Sequence, residues 1–523
     1  MNKVKPILTP ANKLYKVLTI CIILISCLSA ISVIPQIYLL NMGLKNIDVF
    51  SDIRTDVIEN TSRNCQICDS SKTYTKFILP KIILSHINLP DILPSPIFKL
   101  NLKIDQSKNT TVTLFKSTVN QLDASTNINH KVKTNSFFED FSPNGYALEH
   151  LINDLYETKC SRKKGHIAFY GDSFIEGDIF CSDIRNLLQD YFGGNGVGFV
   201  PITSEVSQFR NTILHEFKGF QSYSLVKKQT RYVPYGPGGL CFTAGENNYL
   251  TYSAPNINKH LNLIHNISLF YMSPIKTTFK YCLDKKNLFS LNIDGQNQLQ
   301  QSVLKNVKSK TVNFYFPASD SIKLYGVSIE DSTGIYVDNF SLRGNAGLNI
   351  MQVTDKMHRQ FNKFQNYQLI VLQYGLNVVA PETNNLVWYR NAMIKEVQQL
   401  KMCYPDAIFL IMSVSDRSTV VNGKYITMQS IPLLVSVQRE IAMNTQSLFY
   451  NLYEAMGGEN SMVNFVNNDP PLANKDYTHL NSQGGRKIAN IFVKDLLNEY
   501  QIYNDKNKKF SPIDSSSVVS SNY

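Results

Sequence analysis

Two short segments of this sequence could together activate a nucleophile. An apolar run ends abruptly in a Gly-Asp-Ser motif at 171–173, which delivers Ser173 onto the turn after a strand. Far along the chain, Asp476 precedes His479 by three residues. Serine attacks a carbonyl carbon only when a base removes its proton and a third group orients that base. We therefore predict Ser173 as nucleophile, His479 as its base and Asp476 as the carboxylate that fixes the imidazole tautomer.

Asn377 is a candidate oxyanion donor. It follows an apolar run at 368–373, and a side-chain amide there can donate to the negative charge that develops on a carbonyl oxygen. The alternative is that Asn377 caps the next segment. Each of these segments is common by itself, so their order carries the argument. The serine follows a first strand, the asparagine follows a middle strand, and Asp-x-x-His precedes the last helix.

Two carboxylates, Glu176 and Asp178, follow the predicted nucleophile closely. Carboxylates in the first turn of a helix are stabilised by the helix dipole. We interpret Asp178 as such a charge at the start of the next helix, and we assign no role to Glu176.

The elements that must hold these residues alternate between strand and helix. Helical spacing of apolar residues predicts helices on both sides of the Gly-Asp-Ser strand, and the same alternation resumes after residue 343. The predicted helices are 146–156, 178–191, 385–402, 431–444 and 486–501, and the predicted later strands are 368–373, 408–413 and 447–451. This order predicts an α/β sheet.

A β-rich segment, 206–340, interrupts that pattern. It contains seven short apolar or alternating runs with almost no helical period, which favours a β-sandwich inserted into the α/β domain. The predicted strands are 249–252, 267–272, 277–282, 288–293, 312–316, 322–329 and 334–340.

Length and charge narrow the class of protein. A chain of 523 residues predicts two or three domains. The net charge of +11 is spread over scattered lysines, which indicates either a solvated basic surface or attraction to an anionic polymer such as an envelope glycan. Basic and aromatic residues do not interleave as in a nucleic-acid groove, so we predict no nucleic-acid partner.

The nine cysteines include one Cys-x-x-Cys pair, Cys65 and Cys68, with no second pair to complete a zinc site. We therefore predict no metal and no cofactor. A local disulfide or free thiols are the alternatives left for these two residues.

The N-terminus has the pattern of a membrane segment. Lysines precede an uncharged apolar run of 18 residues at 17–34, which is near the minimum for a membrane-spanning helix. Positive charge before the run predicts that the rest of the chain lies outside the cytoplasmic membrane. We favour an uncleaved anchor, and a cleaved signal peptide or lipoprotein processing at Cys27 are the alternatives.

These observations divide the chain into six parts. They are an anchor at 1–45, a spacer or irregular region at 46–136, the first part of a hydrolase domain at 137–205, an inserted β-sandwich at 206–340, the second hydrolase part at 341–502, and a disordered polar tail at 503–523.

Together, the segments resemble the four blocks of the SGNH (GDSL-type) hydrolase family, in the family's order. The blocks are Gly-Asp-Ser at 171–173, a glycine at 344 or 347, Gly-x-Asn at 375–377, and Asp-x-x-His at 476–479. The resemblance implies a three-layer α/β/α sandwich with a flavodoxin-like sheet and an ester hydrolase that uses no metal. It also implies an oxyanion hole formed by the backbone N–H of Ser173, the N–H of the glycine and the Asn377 amide.

Two features of the resemblance are specific to this chain. Val378 stands where the family usually has an aspartate. Gly347, which lies 30 residues before Asn377, fits the family's interval better than Gly344. We predict Gly347 as the oxyanion glycine, with Gly344 as the alternative.

Further motifs resemble the family branch that contains peptidoglycan O-acetylesterases, in which a carbohydrate-binding-like β module is inserted. These motifs lie at 171–178, 192–200, 324–330 and 337–344. The resemblance implies an esterase that removes O-acetyl groups from an acylated envelope polysaccharide, in the periplasm or exported. A polysaccharide O-acyltransferase with the same triad and a non-catalytic glycan-binding protein are the alternatives.

Overall fold

The computed structural model describes Tyr38–Leu39, Met42–Gly43, and residues 136–230 and 232–510. The chain divides into two compact units, Met1–Thr126 and Asn127–Tyr523. In the first unit the two short strands pair antiparallel.

Several expectations for the N-terminal region fall on other residues. The predicted anchor at 17–34, nearly all of the spacer at 46–136 and the pair Cys65 and Cys68 lie outside the described residues. Within the part of the chain that the structure describes, no helix is long and apolar enough to cross a membrane.

The second unit is a mixed α/β structure, as predicted. Its helices are α1 (Tyr146–Cys160), α2 (Cys181–Phe192), α3 (Asp355–Gln365), α4 (Val387–Cys403), α5 (Ser430–Asn444), α6 (Leu452–Met456), α7 (Ser461–Asn467) and α8 (Ser482–Phe510). Its strands are β1 (Phe138–Asp140), β2 (Lys164–Gly171), β3 (Gly198–Pro201), β4 (Leu214–Ser224), β5 (Leu240–Ser253), β6 (Asn266–Ser273), β7 (Thr277–Leu283), β8 (Leu288–Ile293), β9 (Gln296–Leu304), β10 (Thr311–Tyr315), β11 (Ser319–Glu330), β12 (Gly334–Ser341), β13 (Tyr367–Gln373), β14 (Ile408–Met412), β15 (Ser418–Val421), β16 (Lys424–Thr427) and β17 (Leu448–Tyr450).

Six strands form a sheet in the order β12-β2-β13-β14-β17-β1. The first five run parallel, and β1 joins the far edge antiparallel. Counted along the chain, the parallel strands have the order 2-1-3-4-5, which is the flavodoxin order. In such sheets the strand order reverses between the first and third parallel strands, here β2 and β13, and ligands bind beyond the carboxyl ends of these strands.

Helices cover both faces of this sheet. Two neighbouring residues of β2 show this, because their side chains point to opposite faces. Phe169 on β2 contacts the rings of Phe180 and Phe492, and Phe492 lies on α8. The next residue, Tyr170, places its hydroxyl 3.4 Å from that of Tyr404 at the end of α4. Accordingly, α8 packs against α1 and α2, while α4 packs against α3 and α5. Coverage of both faces explains why β2 is apolar without alternation.

The second large sheet is antiparallel throughout and has nine strands. Its main path is β8-β7-β10-β5-β11-β6-β9, with β4 paired to β5 and β3 paired to β11. The sheet encloses a hydrophobic core of its own, which includes Tyr252, Ile267 and Leu324. The β-rich character predicted for this part of the chain is therefore observed, although β4 and β9 were not predicted.

The strand β12 corrects the predicted β-rich segment. The sequence predicts 334–340 as part of that segment, but β12 pairs parallel with β2 across its whole length. Its pattern is a run of buried residues, which suits either sheet, and only the long-range pairing decides between them. The chain leaves and re-enters the parallel sheet side by side, since the Ile335 N–H donates to the Gly193 carbonyl at 3.0 Å.

The last helix is longer than predicted. It was expected to end at Gln501 and to give way to a disordered tail, but α8 continues to Phe510. The added residues contain neither proline nor glycine, so nothing local stops the helix. The part of the tail after Phe510 lies outside the described residues.

Candidate active site

Ser173 lies on a tight turn just past the carboxyl end of β2. The Asp172 carboxylate makes this turn by accepting the Phe174 N–H at 2.9 Å, as aspartates do in Asx turns. Asp172 and Phe174 are buried, whereas Ser173 is partly exposed. The core therefore holds the residues on both sides of the serine and leaves its hydroxyl accessible.

Asp476 and His479 lie on a compact turn before α8. The Asp476 Oδ1 atom accepts the backbone N–H groups of Thr478 and His479, both at 3.0 Å. The Oδ2 atom lies 2.7 Å from His479 Nδ1. Partial burial raises the pKa of Asp476, but the hydrogen bonds from His479 and Thr478 outweigh that effect and hold the pKa below its usual value. The carboxylate is thus kept ionised next to the imidazole.

The structure brings the two turns into contact. The Ser173 Oγ atom lies 2.8 Å from His479 Nε2, on the opposite side of the ring from Asp476. Gly485, in the first turn of α8, permits this approach. A side chain at Gly485 would lie 2.7 Å from the Ile179 side chain and 2.9 Å from the Phe180 nitrogen. The helix that follows His479 can therefore pack directly against the segment that follows Ser173.

Asn377 reaches the same edge of the sheet from β13. Gln373, the last residue of β13, is the register partner of Gly171 on β2. The Asn377 Nδ2 atom donates to Asp172 Oδ2 at 3.3 Å and to the Asn345 carbonyl at 3.2 Å. Both distances exceed the common N–H···O value of about 2.9–3.0 Å, so the amide is loosely held.

The buried residues Asp172 and Asn345 hold this amide, and the sequence analysis assigned neither of them a role. Burial raises the pKa of Asp172 to about 6, even though the carboxylate accepts backbone hydrogen bonds from Phe174 and other residues. The position of Asp172 inside the motif was a signal for it. Asn345 lies in a loop with no periodic pattern, and the sequence contained no comparable signal.

The two candidate glycines differ in their surroundings. The Gly347 N–H already donates to Asn345 Oδ1 at 2.9 Å, and a side chain at Gly347 would meet the Tyr374 ring at 2.8 Å. At Gly344, by contrast, an added Cβ would meet no atom within 4 Å. Gly344 immediately precedes Asn345, whose carbonyl contacts the Asn377 amide. The geometry therefore favours Gly344 over the predicted Gly347.

Asp178 is not the charge in the first turn of a helix that the sequence suggested. It lies before α2 and is buried, and it accepts hydrogen bonds from Arg185 at 2.8 and 3.0 Å and from the Thr212 hydroxyl at 2.6 Å. Arg210 lies 3.4 Å away. Burial raises the pKa of Asp178, but the two arginines outweigh it and hold the pKa well below the usual value. Asp178 thus fastens the loop before β4 to the nucleophile turn.

Glu176 has a different partner. It forms an ion pair with Arg343, whose side chain is largely exposed. This pair links the segment after Ser173 to the loop after β12, at the rim of the site.

A hairpin of β15 and β16, which was not predicted from the sequence, lies beside the turn that carries Asp476 and His479. Asn422 and Gly423 at its tip have φ values of 50° and 75°, which suit a tight two-residue hairpin turn. An Asn-Gly pair between two alternating runs is a strong hairpin signal, so this element could have been found.

Residues 136–230 and 232–510 hold no group of three or more His, Cys, Asp or Glu arranged for a metal ion. The cysteines among these residues form no disulfide; they are Cys160, Cys181, Cys241, Cys282 and Cys403.

Fold and geometry together define a mixed α/β protein with a Ser-His-Asp hydrogen-bonded chain at the switch point of its parallel sheet. Neither the protein-family models nor the curated proteins include a match to this sequence. A solved peptidoglycan O-acetylesterase matches with a TM-score of 0.58 at 20% identity, over 70% of this chain and 100% of that one. A family two carbohydrate esterase from Cellvibrio japonicus matches with a TM-score of 0.23 at 10% identity, over 55% and 99% of the two chains.

The first of these likenesses shows the fold. The chain has the architecture of the peptidoglycan O-acetylesterase, and the resemblance to SGNH hydrolases drawn from the sequence is confirmed at the level of the fold. The TM-score of the second structure is too low to support a conclusion about the fold.

Proposed function

We propose that this protein is a serine esterase that removes acyl groups, O-acetyl groups foremost, from a cell-envelope or extracellular polysaccharide. The hydrogen-bonded chain from Ser173 Oγ through His479 to Asp476, with distances of 2.8 and 2.7 Å, carries this proposal. Such a chain is the arrangement that activates a serine for acyl transfer on several unrelated folds.

In the proposed mechanism, Ser173 Oγ forms a bond to the ester carbonyl carbon while His479 Nε2 accepts the hydroxyl proton. The tetrahedral intermediate then collapses, and the sugar hydroxyl leaves with the proton held by His479. Water attacks the acyl-serine next, with His479 again as base, and the acid is released. Asp476 remains ionised and stabilises the imidazolium.

The negative charge on the carbonyl oxygen needs donors that are already in place. We assign this role to the backbone N–H groups of Ser173 and Gly344 and to the Asn377 amide. The long contacts of that amide to Asp172 and Asn345 support the assignment, because they leave it free to shift toward an oxyanion.

The remaining architecture is proposed to serve the substrate. We infer a three-layer α/β/α hydrolase domain that carries the nine-stranded sheet as an inserted, carbohydrate-binding β-sandwich. Asp178 supports this arrangement, since it ties the loop before β4 to the nucleophile turn through Thr212 and Arg210. The net charge of +11 suits an anionic envelope polymer.

The proposed location rests on the N-terminal sequence alone. The apolar run at 17–34, with lysines before it, supports an anchor in the inner membrane with the enzyme facing the periplasm, or export of the chain.

The test compares Ser173→Ala with the wild-type full-length chain on p-nitrophenyl acetate and on O-acetylated glycan. We expect the variant to lose at least about a thousandfold in kcat/KM on both substrates, because no other group can form the acyl-enzyme. Ser207→Ala, the same change in the loop before β4, is the matched control and should keep full activity. Equal turnover by Ser173→Ala and wild type would contradict the proposal.

Two further outcomes separate the alternatives. Transfer of acetyl to an added glycan acceptor in place of release to water would make the protein an O-acyltransferase with the same triad. Glycan binding without turnover, together with failure of a fluorophosphonate to label Ser173, would make it a non-catalytic glycan-binding protein.

A further inference from the structure

The hairpin of β15 and β16 is held firmly at the end opposite its tip. Asp416, which is buried just before β15, accepts the Thr427 hydroxyl at 2.9 Å and the Met462 N–H at 2.8 Å. Asn460 and Thr427 exchange two further hydrogen bonds, at 2.6 and 3.1 Å. Asp416 precedes the first residue of β15, and Thr427 is the last residue of β16. These contacts therefore fix both strands of the hairpin at the end opposite its tip.

The hairpin contacts the turn that carries the predicted base, His479. The Ser418 N–H donates to the Tyr477 carbonyl at 3.0 Å. The rings of Tyr425 and Tyr477 are stacked, with centroids 3.6 Å apart and planes inclined by 7°. Tyr477 stands between Asp476 and His479, so both contacts act on the segment that joins the carboxylate to the imidazole.

The same hairpin segment also contacts the turn that carries the predicted oxyanion amide. The Arg417 guanidinium donates to the Leu376 carbonyl at 3.0 Å, one residue before Asn377. One element thus touches the base turn and the amide turn, which come from distant parts of the chain.

The base turn needs external support. Tyr477 has a φ of 54°, a left-handed conformation that costs a residue with a side chain about 1 kcal/mol. The side chains of Asp476 and His479 are 48% and 31% exposed, so the hydrophobic core contributes little to holding them.

We propose that Tyr425 is a positioning residue, whose stack on Tyr477 holds His479 in line with Ser173. The inference rests on the proposed function and extends it to a residue outside the triad. Tyr425 touches no reacting atom in this role and acts only through the turn. The hairpin as a whole then sets the distance between base and oxyanion amide.

The experiment compares Tyr425→Ala with Tyr425→Phe in the full-length chain. We expect Tyr425→Ala to lower kcat on p-nitrophenyl acetate about tenfold with KM unchanged, because misplacing a catalytic group by about 1 Å can cost on the order of 100-fold. Labelling of Ser173 by a fluorophosphonate should slow by the same factor. Tyr425→Phe keeps the stacked ring and should retain wild-type rates.

Val421→Ala is the matched control, because Val421 is an exposed residue of the same hairpin. It should leave kcat and the labelling rate unchanged. Thermal unfolding of each variant separates positioning from folding, since a merely structural role would lower Tm without changing the labelling rate of folded protein.

Either of two results would overturn the inference: wild-type labelling by Tyr425→Ala, or an equal loss in Tyr425→Phe. Failure of the proposed function is distinguishable, because wild-type protein would then neither hydrolyse p-nitrophenyl acetate nor lose any reactivity on Ser173→Ala substitution.

Discussion

The two turns that meet in the site are built in opposite ways. The nucleophile turn follows a strand buried on both faces, and Asp172 and Phe174 beside the serine are shielded from solvent. The base turn is a surface turn in which Asp476 bonds to its own neighbours, and its outside support comes in part from the hairpin beside it.

This difference separates two sources of precision. Around Ser173, the same interactions that stabilise the fold place the nucleophile, so damage there should reduce stability. Around His479, local hydrogen bonds and the stacked tyrosine place the base, so damage there should reduce rate and leave the fold intact. Variants of charged residues on the two sides can test this distinction.

The largest effect should come from the exposed side, with Asp476→Asn. An amide opposite His479 Nδ1 favours the tautomer that puts a hydrogen on Nε2, where it cannot accept the serine proton. We expect kcat on p-nitrophenyl acetate to fall about 10⁴-fold. The free energy of unfolding in urea should change by less than about 1 kcal/mol, since the side chain is half exposed. If Asp476→Asn lowered the free energy of unfolding by more than it raised the activation free energy of the reaction, the distinction between the two turns would be contradicted.

The reverse outcome is expected on the buried side, with Asp178→Asn. This change leaves Arg185 and Arg210 buried without their carboxylate, which should cost about 3–5 kcal/mol of unfolding free energy. Asp183→Asn is the matched control, because its partner Arg486 is exposed and should cost less than about 1 kcal/mol. Chemical denaturation measures both, and equal effects would show that burial does not set the difference.

A smaller effect is expected at Glu396 on α4, a buried carboxylate whose Oε2 accepts the Met351 N–H at 3.0 Å. Burial raises the pKa of Glu396 to about 8 from its usual 4.5, although the Met351 hydrogen bond lowers it. The folded protein therefore holds this proton more tightly than the unfolded chain does. This group lowers stability progressively as pH rises from about 4.5 to about 8.

Glu396→Gln removes that dependence and keeps an acceptor for the Met351 N–H. Relative to wild type, we expect the variant to have nearly equal stability near pH 5 and to be more stable by on the order of 3 kcal/mol near pH 9. Urea unfolding at the two pH values measures the difference. An equal effect at both would show that Glu396 does not titrate in this range.

Much of the α/β frame was predictable because its signals are local. The strands β2 and β13 are apolar runs, as buried parallel strands are, and the helices α1 and α2 on either side of β2 repeat at helical spacing. The helix α3 was not predicted. The residue types of Ser173, Asn377, Asp476 and His479, in that order, pointed to one site, and the structure places these residues around the ends of β2 and β13.

The remainder depended on contacts that no local pattern encodes. The strand β12 mixes apolar residues with Asp338 and Asn339, a pattern that does not distinguish the two sheets, and its pairing with β2 depends on long-range contacts. The strand β9 is rich in glutamine and has little apolar pattern. Asp178 was interpreted as a charge at a helix start because its partners Arg210 and Thr212 come from a separate loop. The difference between Gly344 and Gly347 comes from Asn345, whose side chain accepts the Gly347 N–H.

The meeting of Gly193 and Ile335 has a consequence for how this protein can change. The residues between Gly193 and Ile335 form one segment outside the parallel sheet, and a hydrogen bond joins its two ends. The entropy cost of closing a loop grows only slowly, by about 0.6 kcal/mol for each doubling of its length. Beyond the loop that Asp178 holds through Arg210 and Thr212, the segment can therefore lengthen or shorten while the strand that delivers Ser173 keeps both of its neighbours.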